Sequence, residues 1–289
     1  MLFHDSKNPN SYLTAIKRER VSYPTRILFQ QEKIKGKVLD FGCGYGADVD
    51  FLQMQNIDIT GFDPFHYNHY PTEKFDTIIC HYVLNVLMPK EQAFVLMAIS
   101  ELLKPNGTAY FTVRRDLKKP GFRTHFEYNV PTYQCNVRLN QPTFHKAEHC
   151  EIYEYQHYNQ RPKDNDCVFC SPESERELLT ESATMYAILD KFPVSPGHAL
   201  IISKRHQNDY FALAEKEKMA LQLMIDRVKT ILDKRYKPDG YNIGMNCGEA
   251  AGQTVSHFHC HLIPRYKGDM KNPKGGVRHC VEGKGFYEA

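Results

Sequence analysis

The sequence predicts two domains in one chain, an α/β domain first and a strand-rich domain with one long helix second. Three observations carry that prediction. A short apolar strand at 38–41 runs into Gly42, Gly44 and Gly46, a helical stretch follows at 47–54, and a second strand at 57–63 ends in Asp63. Far downstream, His257, His259 and His261 alternate along an apolar run. Between the two patterns, residues 159–166 are polar and include Pro162, and 289 residues suit two domains of ordinary size.

In the first half, alternate glycines permit a tight turn and let a ligand approach the backbone. Asp63, at the tip of the second strand, stands where a carboxylate meets the ribose hydroxyls of a nucleotide-type cofactor. Apolar runs at 75–87 and 108–113 read as later strands, the latter entered through Leu102-Leu103-Lys104-Pro105-Asn106-Gly107. Four such segments in this order, with Asp40-x-Gly-x-Gly-x-Gly at their head, resemble the class I S-adenosylmethionine-dependent methyltransferases. The resemblance implies a Rossmann-like α/β domain over 1–158 that binds S-adenosylmethionine. It puts the methionine end over Gly42, Gly44 and Gly46 near Asp40 and the ribose on Asp63. His81, Tyr82 and Asn85 then line the pocket near the methyl group. Two features depart from the pattern. Asn106 replaces the usual first glycine of its turn. Only a dozen residues separate Asp63 from Phe75, where most members have a helix and a strand. That loop either covers the adenine or is a structural shortcut. Short alternating runs in 121–158 suggest closing strands or a lid.

In the second half, alternation on a strand turns all three imidazoles of 257–261 to one face. A fourth histidine follows Pro196-Gly197 at the mouth of another strand. With Gly252-Gln253-Thr254 leading in, this arrangement resembles the histidine-triad (HIT) superfamily. The resemblance implies an α+β HIT domain over 167–289, an antiparallel sheet with helices, that hydrolyses nucleotidyl phosphoanhydrides or phosphoramidates such as diadenosine polyphosphates. Imidazole is a competent nucleophile near neutral pH. His259 is accordingly expected to attack phosphorus and form a nucleotidyl-histidine, with His261 and His198 beside it sharing protons. By the same resemblance Gln253 belongs to the catalytic group, Asn246 and Thr254 contact phosphate, and Asp190 takes the ribose diol.

Cys167-x-x-Cys170 alone is redox-active, metal-binding or accidental. In a subset of HIT proteins such a pair joins two histidines around zinc, which implies Cys167, Cys170, His206 and His257 as a closed structural zinc site. Apolar residues from Leu213 to Ile231 recur at helical spacing, predicting a helix over 212–232.

A net charge of +3 does not identify a nucleic-acid binder, although Lys17-Arg18-Glu19-Arg20 and Arg114-Arg115 are locally basic. Nine cysteines, a polar start and no membrane-length apolar run lead to the expectation of a cytoplasmic protein with reduced thiols and no membrane partner. The HIT resemblance implies a homodimer. Two alternatives stay open: an enzyme using both domains on one RNA or DNA end, and a sensor that binds S-adenosylmethionine and nucleotide without methyl transfer.

Overall fold

A computed structural model of the protein describes residues 7–157, 160, 166–171 and 176–286, so most of the expected 159–166 linker lies outside the described residues. The chain divides into two compact units, Met1–Pro162 and Lys163–Ala289.

The first unit opens with α1 (Tyr23–Gln30), whose start is fixed by Ser22, the side chain of which accepts from the Thr25 amide, and by Pro24 in the first turn. Then come β1 (Val38–Phe41), α2 (Ala47–Met54), β2 (Ile59–Phe62), β3 (Phe75–His81), α3 (Pro89–Leu102) and β4 (Leu103–Arg114). The short strands β5 (Gly121–Thr124) and β6 (Pro131–Gln134) form a separate hairpin, and β7 (Thr143–Lys146) and β8 (Cys150–Gln156) close the unit. The main sheet runs β2-β1-β3-β4-β8-β7. Strands β1 to β4 are mutually parallel, and β8 and β7 add antiparallel at one side. All four residues of β1 are buried, as a parallel strand covered on both faces requires. Its neighbours β2 and β3 lie on opposite sides, so the carboxyl ends of β1 and β3 flank a crevice where the strand order reverses. Such crevices receive ligands in open α/β sheets. Among the described residues no helix lies between β2 and β3. That connection turns back on itself through a bridge between Asp63 and Tyr67.

The second unit holds β9 (Leu178–Glu181), β10 (Met185–Leu189), β11 (Ala199–Ser203), α4 (Glu215–Tyr236), β12 (Gly240–Gly244) and β13 (His259–Arg265). Its sheet is ordered β12-β13-β11-β10-β9 with every pair antiparallel. Helix α4 covers the sheet with Ala220, Leu221, Met224, Val228 and Leu232, one apolar stripe at helical spacing. The α/β and antiparallel architectures expected from the sequence are both present.

Candidate active site and metal centre

Strand β13 begins at His259, so only two of the three alternating histidines are on it; His257 lies in the bend before it. Pairing with β11 sets His259 opposite Ile202 and His261 opposite Leu200. His198, which enters β11 just after Gly197, is brought beside His261, with Nε2 of His198 3.0 Å from Nδ1 of His261. The rings of His259 and His261 stand 5.1 Å apart. Nδ1 of His259 donates to the carbonyl of His257 at 2.8 Å. A carbonyl can only accept, so the proton sits on Nδ1 and the lone pair of Nε2 is left for chemistry. His259 and His198 are both buried. Burial pulls the His198 ring below its ordinary range, opposed by Asp190, whose carboxylate is 3.5 Å from Nδ1. Burial, together with His259 and His198, lowers His261 to about 4. Both rings are therefore neutral at pH 7.

Asp190 also accepts from the Phe192 amide at 2.9 Å. The amide of Gln253 is engaged by the main chain: Oε1 accepts from Gly248, and Nε2 donates to Asn208 and Val255. In this structure it shapes the loop ahead of β13 and offers no free donor. Asn246 donates to Gly252 across the same loop at 3.3 Å, and Thr254 is exposed.

Cys167, Cys170, His206 and His257 place one ligand atom each within 4.8 Å of one another. Nδ1 of His257 is 3.4 Å from both sulfurs, and Nδ1 of His206 is 3.2 Å from Cys170 Sγ. Metal–sulfur bonds of about 2.3 Å and metal–nitrogen bonds of about 2.0 Å span a tetrahedron with such edges. The other nitrogen of His257 donates to the Ser203 carbonyl at 2.7 Å, which leaves Nδ1 as the ligating atom. The donor set and its orientation fit a zinc ion.

In the first unit a cavity of about 1140 Å³ opens at the reversal of strand order, lined among others by Phe41, Gly42, Gly44, Asp63, His81 and Tyr82. Gly42 has φ 86°, and a Cβ there would stand 2.2 Å from Val83 Cγ2, so glycine is required. Gly46, φ 84°, caps α2 and would bring a Cβ within 2.8 Å of the Tyr67 hydroxyl. Asp63 accepts from the amides of Gly44, Phe65 and His66, tying the glycine turn to the loop after β2. Asp40 lies buried at the end of β1, its carboxyl pushed well above the usual range by burial and by the nearby Asp48. His81 bonds Thr112 Oγ1 at 2.7 Å, and burial lowers its ring to about 4. A cavity of this size, with glycine backbone and a carboxylate on its wall, has room for a nucleotide-sized ligand.

Asn85 is placed differently from the expectation. It is fully buried, donates to the Cys135 carbonyl and accepts from the Arg114 amide, and so holds backbone together away from the cavity wall. The loop after β2 supplies Pro64 and Phe65 to the wall. A strap over residues 11–23, which no motif in the sequence announces, lines the same cavity. It is fastened by Asp48, which takes the Ser22 amide at 2.6 Å and pairs with Arg18 at 3.3 Å, while Tyr12 stacks on Phe65. Arg18 is legible in the sequence as part of a charged run, but its partner 30 residues away is not.

Comparison with known proteins agrees with both halves. The family model for a methyltransferase domain matches residues 13–166, and that for the HIT domain matches 171–268. An uncharacterized HIT-like protein of Mycoplasma genitalium is 36% identical over 112 residues, covering 36% of this chain and 75% of the relative. One from Saccharolobus solfataricus is 30% identical over 125 residues, covering 42% and 90%. The bis(5'-adenosyl)-triphosphatase of Dictyostelium discoideum is 33% identical over 98 residues, covering 34% and 66%. The chain therefore belongs to the HIT family and carries, ahead of its HIT domain, a domain of the methyltransferase family.

Proposed function

We propose that the second unit hydrolyses nucleotidyl phosphoanhydrides or phosphoramidates, dinucleoside polyphosphates first among them, through a covalent intermediate on His259. One observation supports this reading: the Nδ1–H of His259 is committed to the His257 carbonyl, which leaves the Nε2 lone pair available as a nucleophile. Nε2 forms a bond to the α-phosphorus as the bridging P–O bond of an anhydride, or the P–N bond of a phosphoramidate, breaks; the leaving phosphate departs with the electron pair, and a leaving amine takes up a proton as well. Water then opens the nitrogen–phosphorus bond, releases the nucleoside monophosphate and restores the imidazole. His261 and His198, hydrogen-bonded to one another, stand beside this reaction as a neutral pair able to pass a proton. The name of the Dictyostelium relative, a bis(5'-adenosyl)-triphosphatase, supports the substrate class. Cys167, Cys170, His206 and His257 would hold a structural zinc ion.

The first unit, in this reading, transfers a methyl group. S-adenosylmethionine supplies an electrophilic methyl on a sulfonium. The residues' part is to bind and align, and to exclude water. Gly42 and Gly44 line the cavity with backbone, and Asp63 presents a carboxylate at the tip of β2.

The test is product analysis by mass spectrometry after mixing the protein with diadenosine tetraphosphate, with and without S-adenosylmethionine. AMP plus ATP is the expected product pair. A methylated product that requires the cofactor is expected when the acceptor is present. Intact diadenosine tetraphosphate in both mixtures would overturn the hydrolase reading for this substrate class.

A further inference from the structure

The segment that carries the two thiols also carries Phe169. This side chain is 5% exposed, and its ring centroid lies 5.0 Å from that of His259 and 6.0 Å from that of His257. The Tyr186 hydroxyl donates to its carbonyl at 2.5 Å. On the other side of the four-ligand cluster, His257 is fully buried, turns Nδ1 to both sulfurs and lends its carbonyl to Nδ1 of His259. A ring wall of His259 and the acceptor that orients it therefore both ride on metal-ligating segments.

We propose that the four-ligand centre seats the nucleophile: bound metal fixes the Cys167–Cys170 segment and His257, and these hold the His259 ring in its attacking orientation through Phe169 and the His257 carbonyl. Phe169 is a positioning residue in this account, and it acts through His259. The inference rests on the reading of His259 as the nucleophile. Its physical basis is alignment. Two side-chain bonds set where the His259 ring points, and an error of about 1 Å in a reacting atom costs on the order of a hundredfold in rate. Without metal, weak thiol–imidazole contacts and the packing of the Phe169 ring join the segments. With it, two thiolates and two imidazoles close on one ion.

The experiment uses the full chain labelled with ¹⁵N at histidine, loaded with one zinc ion or stripped by chelation. Long-range ¹H–¹⁵N spectra read the His259 tautomer, and steady-state hydrolysis of diadenosine tetraphosphate is followed in parallel. Zinc-loaded protein is expected to show His259 protonated at Nδ1 alone, and stripped protein to lose that single tautomer. Phe169→Ala is expected to keep its zinc and a KM within about twofold of the original, and to lose roughly ten- to a hundredfold in kcat. Phe169→Leu, which retains most of the buried volume, should recover most of that loss and decides the matter where the alanine variant does not fold. A stripped protein with the His259 tautomer unchanged would overturn the proposal, as would both Phe169 variants turning over at the original rate. Zinc-loaded protein that leaves diadenosine tetraphosphate intact refutes the hydrolase reading instead, and the tautomer spectra still decide the seating.

Discussion

At His259 and His81 the surroundings set the proton position of one ring and the basicity of the other. At His259 a carbonyl holds the proton on Nδ1 and leaves the Nε2 lone pair for the proposed attack. Replacing it by Asn removes the nucleophile while keeping a polar side chain, so kcat should fall on the order of a thousandfold or more. Binding of AMP, measured by calorimetry, should stay within about threefold, because truncating a nucleophile spares the interactions that bind the ground state. At His81 burial lowers the ring to about 4, and His261 in the second unit is lowered to about 4 by burial and its neighbouring histidines. An unfolded histidine protonates near ~6.5. As pH falls from there toward 4 the unfolded chain takes up protons that the folded chain refuses, so stability is full above the unfolded value and declines through that window. Melting temperature followed from about pH 7.5 to about pH 4.5 should drop for both units. A flat profile would mean that these rings are solvated and free to protonate in the folded state.

Two turns decide the elements on which the sites are built. The turn after β1 uses Gly42 at φ 86°, where an added methyl would stand only 2.2 Å from Val83 Cγ2. Gly42→Ala should destabilise the first unit by about 1–3 kcal/mol, through strain at positive φ and displacement of Val83. Differential scanning calorimetry tests this, and an unchanged transition would show that the turn can relax. The Cys167–Cys170 segment is the corresponding turn of the second unit. Cys170→Ser removes a thiolate facing both His206 and His257, so zinc bound per chain, measured by plasma emission after dialysis, should fall from one to near zero. Retention of a full equivalent would contradict the four-ligand assignment. At this scale the sequence is readable where periodicity or a motif is local. The alternation around His259, the stripe of α4 and the glycine turn are each contained within one element or its immediate approach. The start of β13 is not readable, because the bend that frees His257 for the sulfurs depends on Ser203 and the thiols, all distant in sequence.

Across the whole molecule, two architectures of different kind lie in one chain: a mainly parallel sheet with its crevice at the reversal of strand order, and an antiparallel sheet covered by α4. Among the described residues no helix is long and apolar enough to cross a membrane. Both sheets are legible from four ordered segments in the first half and the paired histidine motifs in the second. The strap over 11–23 is not. Its seat depends on Asp48 meeting Ser22 and Arg18, and on Tyr12 meeting Phe65, contacts that only the folded chain brings together. The expectation for Asn85 fails for a related reason, since a polar residue after a strand can serve a ligand or the backbone, and here Cys135 and Arg114 claim it. In the proposed mechanism a nucleotidyl group passes through His259. The most direct test is peptide mapping by mass spectrometry after rapid quench of the protein with diadenosine tetraphosphate, with digestion under non-acidic conditions that preserve nitrogen–phosphorus bonds. An adenylyl adduct on the peptide bearing His259, absent from His259→Asn, is the predicted result. An adduct on another residue, or full hydrolysis by the Asn variant, would contradict it.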